Sequence, residues 1–165
     1  MIAIKRNIIL GLFVASAIVL HIIEFALPTT LLFPGAKLGL ANIITLFVLI
    51  NYGFLSALKV VSLRIILSSL LIGTFLTISF WLSLAGGIIS LILMGYLYYY
   101  QQDKFSLVGI SVLGAASHNL AQILMAFLLI RNWKIILYLP YLLLLSLPTG
   151  VFVALIVLQL KKHLQ

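Results

Sequence analysis

Three short polar clusters stand out in a chain that is otherwise almost wholly apolar. The first is Phe33-Pro34-Gly35-Ala36-Lys37-Leu38-Gly39-Leu40-Ala41-Asn42. Pro34-Gly35 starts a turn, and Gly39 lets another backbone approach closely. The helix that follows presents free N–H groups and the positive end of its dipole. With Lys37 beside it, this segment is equipped to hold a carboxylate or phosphate. A simple helix start with a snorkelling lysine would use the same residues. The second cluster is Ser117-His118-Asn119-Leu120-Ala121-Gln122. His118 and Gln122 stand one helical turn apart, and Asn119 lies about 100° round from His118. All three fit one arc facing a bundle interior, where they would hydrogen-bond a ligand or tie helices together. The third is His21 with Glu24, three apart and on one helix face. Glu24 would pair with His21, Lys37 or Arg131, or form an interfacial salt bridge. His21 and His118 are metal-ligand types, but with so few carboxylates a metal site would be thin, and none is expected.

Composition removes most other chemistry. Apolar residues make up 65% of the 165, and mean hydropathy is +1.35. Ten Lys/Arg stand against two acidic residues, Glu24 and Asp103. A soluble domain of this size needs roughly a quarter charged residues to cover its surface, so lipid is the expected solvent. The cations lie mostly at the ends of apolar runs, where they set topology. They form no basic face, so no nucleic-acid partner is expected. With no cysteine there are no disulfides, thiolates or Cys-ligated clusters. Two carboxylates are too few for magnesium–diphosphate chemistry or glycoside hydrolysis. Nothing resembles a nucleotide-binding loop. A non-enzymatic protein without a cofactor is therefore expected.

The elements that must position these clusters follow from apolar run lengths of about 20 residues. Lys5, Arg6 and Ala15-Ser16-Ala17 resemble a signal peptide, but the run continues to Pro28, so a retained helix is expected. Six spans are predicted, at about 7–27, 36–54, 59–75, 80–99, 106–130 and 135–160. Pro140 and Pro148 fall within the sixth, which is expected to kink. The boundary between spans three and four is the weakest, with Thr74, Thr77 and Ser79 marking the turn and Gly86-Gly87 an alternative break. Six spans put both termini on one side, with Lys5, Arg6, Lys59, Arg64, Lys104, Lys161 and Lys162. Lys37, Arg131 and Lys134 lie on the other, which supports cytoplasmic termini in the cell membrane. Tyr96, Tyr98, Tyr99 and Tyr100 form an inner aromatic belt, while Trp81 and Trp133 lie near the outer ends. Arg64, some five residues into span three, is expected to snorkel to the cytoplasmic headgroups. Gly11 and Ala15 form a small-xxx-small face that would dock another membrane subunit or pack internally. Gly109 and Gly114 are expected to allow close packing inside the bundle.

The segments FPGAKLGLAN (33–42) and SHNLAQ (117–122) resemble the two signature stretches of the Gx transporter family, also labelled heptaprenyl diphosphate synthase component I. The resemblance covers essentially the whole chain. It implies similarity to the substrate-binding S components of energy-coupling factor transporters. Those are six-helix membrane proteins that capture small molecules from the outer side and join a T component and two ATPases. Their first helix carries an alanine-rich docking face, to which Gly11 and Ala15 are a partial match. Some family members are linked to quinone biosynthesis or flavin-based electron transfer. The expected fold is therefore an all-α, S-component-like bundle of six transmembrane helices forming a single domain, 1–165. The expected function is capture of a small molecule with an anionic group. Lys37 and the second helix's N-terminus would hold that group, and Asn42, His118, Asn119 and Gln122 would bind its polar part, near His21 and Glu24. The alternatives are a subunit handling quinone or flavin and an accessory component of a prenyl diphosphate synthase.

Overall fold

The computed structural model describes residues 2–26 and 39–164. Among the described residues six α-helices follow one another: α1 (Ile2–Ala26), α2 (Leu40–Tyr52), α3 (Phe54–Ile72), α4 (Ile78–Tyr100), α5 (Leu107–Ile130) and α6 (Leu139–Leu164). A 3₁₀ segment, Trp133–Tyr138, leads into α6. The described residues contain no strand. The chain is thus an all-α bundle with five helices long and apolar enough to cross a membrane. In lipid a helix is the natural solution, because it satisfies its own backbone hydrogen bonds.

The exception is α2. At 13 residues it is about 20 Å long, short of the roughly 30 Å hydrocarbon core. Glycines bound it at both ends: Gly39 has φ 74° and Gly53 has φ 86°. Those backbone angles are costly for any residue with a Cβ. The span expected at 36–54 therefore ends at Tyr52, and its first residues, 36–38, lie outside the described segment. A run of α2 residues from Ile43 to Leu49 is buried on every side, as for a helix surrounded by others. It packs against α1, α3, α4 and α6, and so forms the centre around which the long helices stand.

Other boundaries moved for physical reasons. Gly53 alone forms the turn between α2 and α3, so α3 begins at Phe54 rather than near Lys59. The turn between α3 and α4 falls at Gly73–Thr77, close to the threonines expected to mark it. Thr77 closes it by donating its N–H and hydroxyl to the Thr74 carbonyl. Gly86-Gly87 lies inside an uninterrupted α4. Helix α6 starts four residues later than expected, placing Pro140 in its first turn, where a missing N–H costs little. Pro148 remains inside α6. Around it Ser146 and Thr149 donate their hydroxyls to the carbonyls of Leu143 and Leu145.

Apolar packing fills the half of the bundle nearest the chain termini. Leu46, Leu49, Val60, Val61, Leu91 and Val157 are fully buried there. Phe13 of α1 packs against Phe47 and Tyr52 of α2 at ring separations of 5.4 and 5.6 Å. Arg6 donates to the Tyr52 carbonyl (3.1 Å) and to Ser56 Oγ (2.7 Å), stapling α1 to the α2–α3 corner. Between helices in lipid, close van der Waals contact does what the hydrophobic effect does in water. Gly150 of α6 is the clearest case, since a Cβ there would lie 2.5 Å from the Val112 Cα of α5. Gly114, as expected, also admits a neighbour: a Cβ would lie 2.5 Å from Met94 Cγ. No such neighbour crowds Gly109.

Candidate functional site

At the other end of the bundle, polar side chains converge. The end of α1, the start of α2 and the middles of α3, α4, α5 and α6 enclose a hollow. Its polar lining includes His21, Glu24, Asn42, Arg64, His118 and Asn119, with hydroxyls from Ser83, Ser90, Ser111 and Thr149. Met94, Ala115 and Val153 supply apolar wall. About 600 Å³ of this region is not filled by atoms, its open mouth included, but the cavity proper is only about 30 Å³. That is room for a couple of waters or one small chemical group.

The geometry begins at α1. Glu24 is 5% exposed, and its carboxylate accepts a hydrogen bond from the Gly39 N–H at the start of α2. The positive end of the α2 dipole therefore already faces a carboxylate from within the chain. This changes the expected design, in which that N-terminus waits for the anion of a ligand. Lys37, the cation expected beside it, lies outside the described residues, as do Pro34 and Gly35 of the same motif.

The cation in the hollow is instead Arg64, which is only 4% exposed. Snorkelling to a headgroup is ruled out by position. Because α3 starts at Phe54, Arg64 stands ten residues, or about 15 Å, along the helix rather than five. It is attracted by the charge of Glu24. A guanidinium at such depth in a membrane protein costs about 3 kcal/mol or more and is tolerated where it faces a partner or cavity. Its Nε, like the Oγ of Ser90, has no hydrogen-bond partner among the described residues.

Two glycines of α4 make room for this arrangement. A Cβ on Gly86 would lie 2.9 Å from His118 Cε1 and Nε2 and from Gln122 Cγ. A Cβ on Gly87 would lie 3.0 Å from Ile65 Cδ1 and 3.5 Å from an Arg64 terminal nitrogen. The pair thus admits α5 on one side and α3 on the other. His118 and Gln122 do share a face, but Gln122 is buried beside the hollow and does not line it. Asn119 both lines the hollow and donates from Nδ2 to the Leu142 carbonyl of α6 at 2.8 Å. It therefore serves as interhelical glue as well.

The serines escaped the sequence reading. Ser83, Gly87, Ser90 and Met94 recur at helical spacing along α4, and Ser111, Ala115 and His118 do so along α5. That small-and-polar stripe was the available signal. Gly11 and Ala15 belong to a different place. Both are exposed and line an open apolar groove of about 500 Å³ between α1 and α3. A Cβ on Gly11 would meet nothing within 4 Å, so Gly11 does not serve packing inside the bundle.

Searches of curated proteins and of solved structures each found no match. A family comparison did, over most of the chain. Two features of the fold fit its range: it begins within α1 and ends within α6, so the hollow's described lining falls inside it. Residues 13–160 match the family described as heptaprenyl diphosphate synthase component I, and the chain belongs to that family.

Proposed function

We propose that this chain is a membrane-embedded protein that captures a small molecule in the hollow, in the manner of an S component. The observation that carries the reading is convergence. Side chains from six helices line one space, and several of them are costly to bury in a membrane. Interhelical glue alone calls for pairs such as Asn119 with Leu142, not for an arginine with an unpartnered Nε. The hollow lies toward the end of the bundle opposite the termini. We place the termini in the cytoplasm, from Lys5, Arg6, Lys59, Lys104, Lys161 and Lys162 against Lys37, Arg131 and Lys134. Arg64, now mid-bundle, drops out of that count. The hollow would then face the outer leaflet.

With so little free volume, a whole ligand would enter only if the walls move or if one polar group is inserted. The open groove bearing Gly11 and Ala15 suits a close-packing partner helix, such as that of a T component. Energy for transport would come from partner ATPases.

The test is native mass spectrometry of gently solubilised wild-type, Lys37→Ala and His118→Ala chains. Capture predicts one small molecule retained by the wild type and lost from both variants, with equal amounts of folded protein in the membrane. Equal loss of both variant proteins from the membrane would favour a packing role. Co-purification of a T component and ATPases would support transport.

The family's description favours a second reading, an accessory component of a prenyl diphosphate synthase. Glu24 is the one carboxylate lining the hollow among the described residues. The magnesium-binding carboxylates of such a reaction would therefore come from a partner chain. Synthase activity appearing only when both chains are mixed would support that reading.

A further inference from the structure

Serines inside helices commonly turn the hydroxyl back onto the carbonyl three or four residues before. Ser68, Ser69, Ser117 and Ser146 all do so here. Ser90 does not. Its Oγ is buried, and no partner meets it among the described residues. In a membrane-embedded bundle, forgoing that local bond costs free energy unless another group completes it. A Cβ on Gly114 of α5 would lie 3.5 Å from Ser90 Oγ, so the hydroxyl is held between α4 and α5.

Arg64 approaches the same face of α4 from α3. A Cβ on Gly87 would lie 3.5 Å from an Arg64 terminal nitrogen. Gly87 is three residues before Ser90 and shares its helix face. The guanidinium therefore lies against the α4 stripe that carries Ser90. Its Nε is also buried with no partner among the described residues. Both residues line the hollow. Nε–H can only donate, so its complement is an acceptor, and the Ser90 hydroxyl can donate as well. One oxygen atom, with two lone pairs, can accept from both. The cavity of about 30 Å³ suits an oxygen-bearing group of a few atoms rather than a whole molecule.

We infer that Arg64 Nε and Ser90 Oγ form the anchoring subsite of the hollow, which holds a small molecule by one acceptor oxygen of a carbonyl, carboxylate or phosphoryl group. The pair selects an acceptor and not a charge. Without the small molecule a water can stand in, and an oxygen that reproduces its hydrogen bonds displaces it at little cost. This inference rests on the capture reading and adds to it two residues, from α3 and α4, that lie outside both signature segments.

The experiment compares wild-type, Arg64→Lys and Ser90→Ala chains purified from native membranes in mild detergent. Bound small molecules are extracted, quantified and identified by mass and chemical class. Arg64→Lys keeps a cation to face Glu24 but has no Nε and no fork of donors. It should melt close to the wild type yet retain at least tenfold less of the compound. Ser90→Ala should retain several-fold less, and it keeps the test valid if Arg64→Lys fails to fold. The compound's own class, whether a neutral carbonyl compound, a carboxylate or a phosphate, then identifies which acceptor the pair holds. A compound retained equally by all three chains would overturn the inference while leaving capture standing. So would a retained compound with no acceptor oxygen. A wild type that retains nothing would overturn capture itself, and this inference with it.

Discussion

The two halves of this bundle are buried to similar degrees but put together differently. Near the termini, Leu46, Leu49, Val60, Val61 and Leu91 are fully buried in one apolar cluster around α2. Toward the opposite end, Glu24, Arg64, Ser90, Ser111 and His118 are nearly as inaccessible, yet they surround a hollow. Burial alone therefore does not separate structure from function here. What separates them is whether the buried atoms find their partners in the chain. Apolar side chains do so by contact, whereas Arg64 Nε and Ser90 Oγ find none among the described residues. Substitutions in the packed half should cost stability. Those around the hollow should cost binding, with stability effects that depend on charge balance.

The largest effect tests that balance. Arg64→Met removes the buried cation attracted by Glu24 and should destabilise the protein by about 3–5 kcal/mol. Adding Glu24→Gln should recover most of the loss, because removing both charges of a buried pair is often neutral. Thermal unfolding of both single variants and the double variant, read as a mutant cycle, checks this. Additive losses would mean that the two charges are not coupled. Next, Gly150→Ala drives a Cβ into the Val112 backbone and should cost about 3 kcal/mol, because backbone cannot swing aside. Gly86→Ala meets only the side chains of His118 and Gln122. It should cost about 1 kcal/mol while sharply reducing retention of the bound molecule, measured by native mass spectrometry. Asn119→Ala removes one interhelical hydrogen bond and should lower stability by about 0.6 kcal/mol. Smallest of all, Ser90→Ala should leave the melting temperature unchanged, since its hydroxyl has no hydrogen-bond partner among the described residues. A clear drop would move Ser90 into the packed half of the comparison.

Much of the packed half was legible in the sequence, and the reason is length. Runs of about 20 apolar residues identify spanning helices with little ambiguity, and the five long helices lie close to their expected positions. The missed features depend on single residues. One glycine, Gly53, makes a complete turn, and that moves the start of α3 by five residues. The shift carries Arg64 from the membrane surface to mid-bundle and changes its meaning from topology signal to site residue. Glu24 was recognised as unusual, but its partner was not. That it caps α2 through the Gly39 N–H depends on a contact fifteen residues away that no local pattern encodes. The serines were hidden for a different reason. Within a helix a hydroxyl can bond the carbonyl three or four residues back, as Ser68 and Ser117 do here. A serine costs little at any helical position, so its presence alone does not say which face lines a cavity. His118 and Asn119 were legible because an imidazole and an amide in mid-membrane have no such cheap local solution.

The central claim is that the hollow between Arg64 and Ser90 is a ligand site and not a packing defect. A density map of the wild-type protein purified gently from its own membranes tests it most directly. The claim predicts non-protein density in contact with Arg64 and Ser90. A hollow closed by direct contact of Arg64 with Glu24, with helices α4 and α5 packed across it and no density between them, would contradict it.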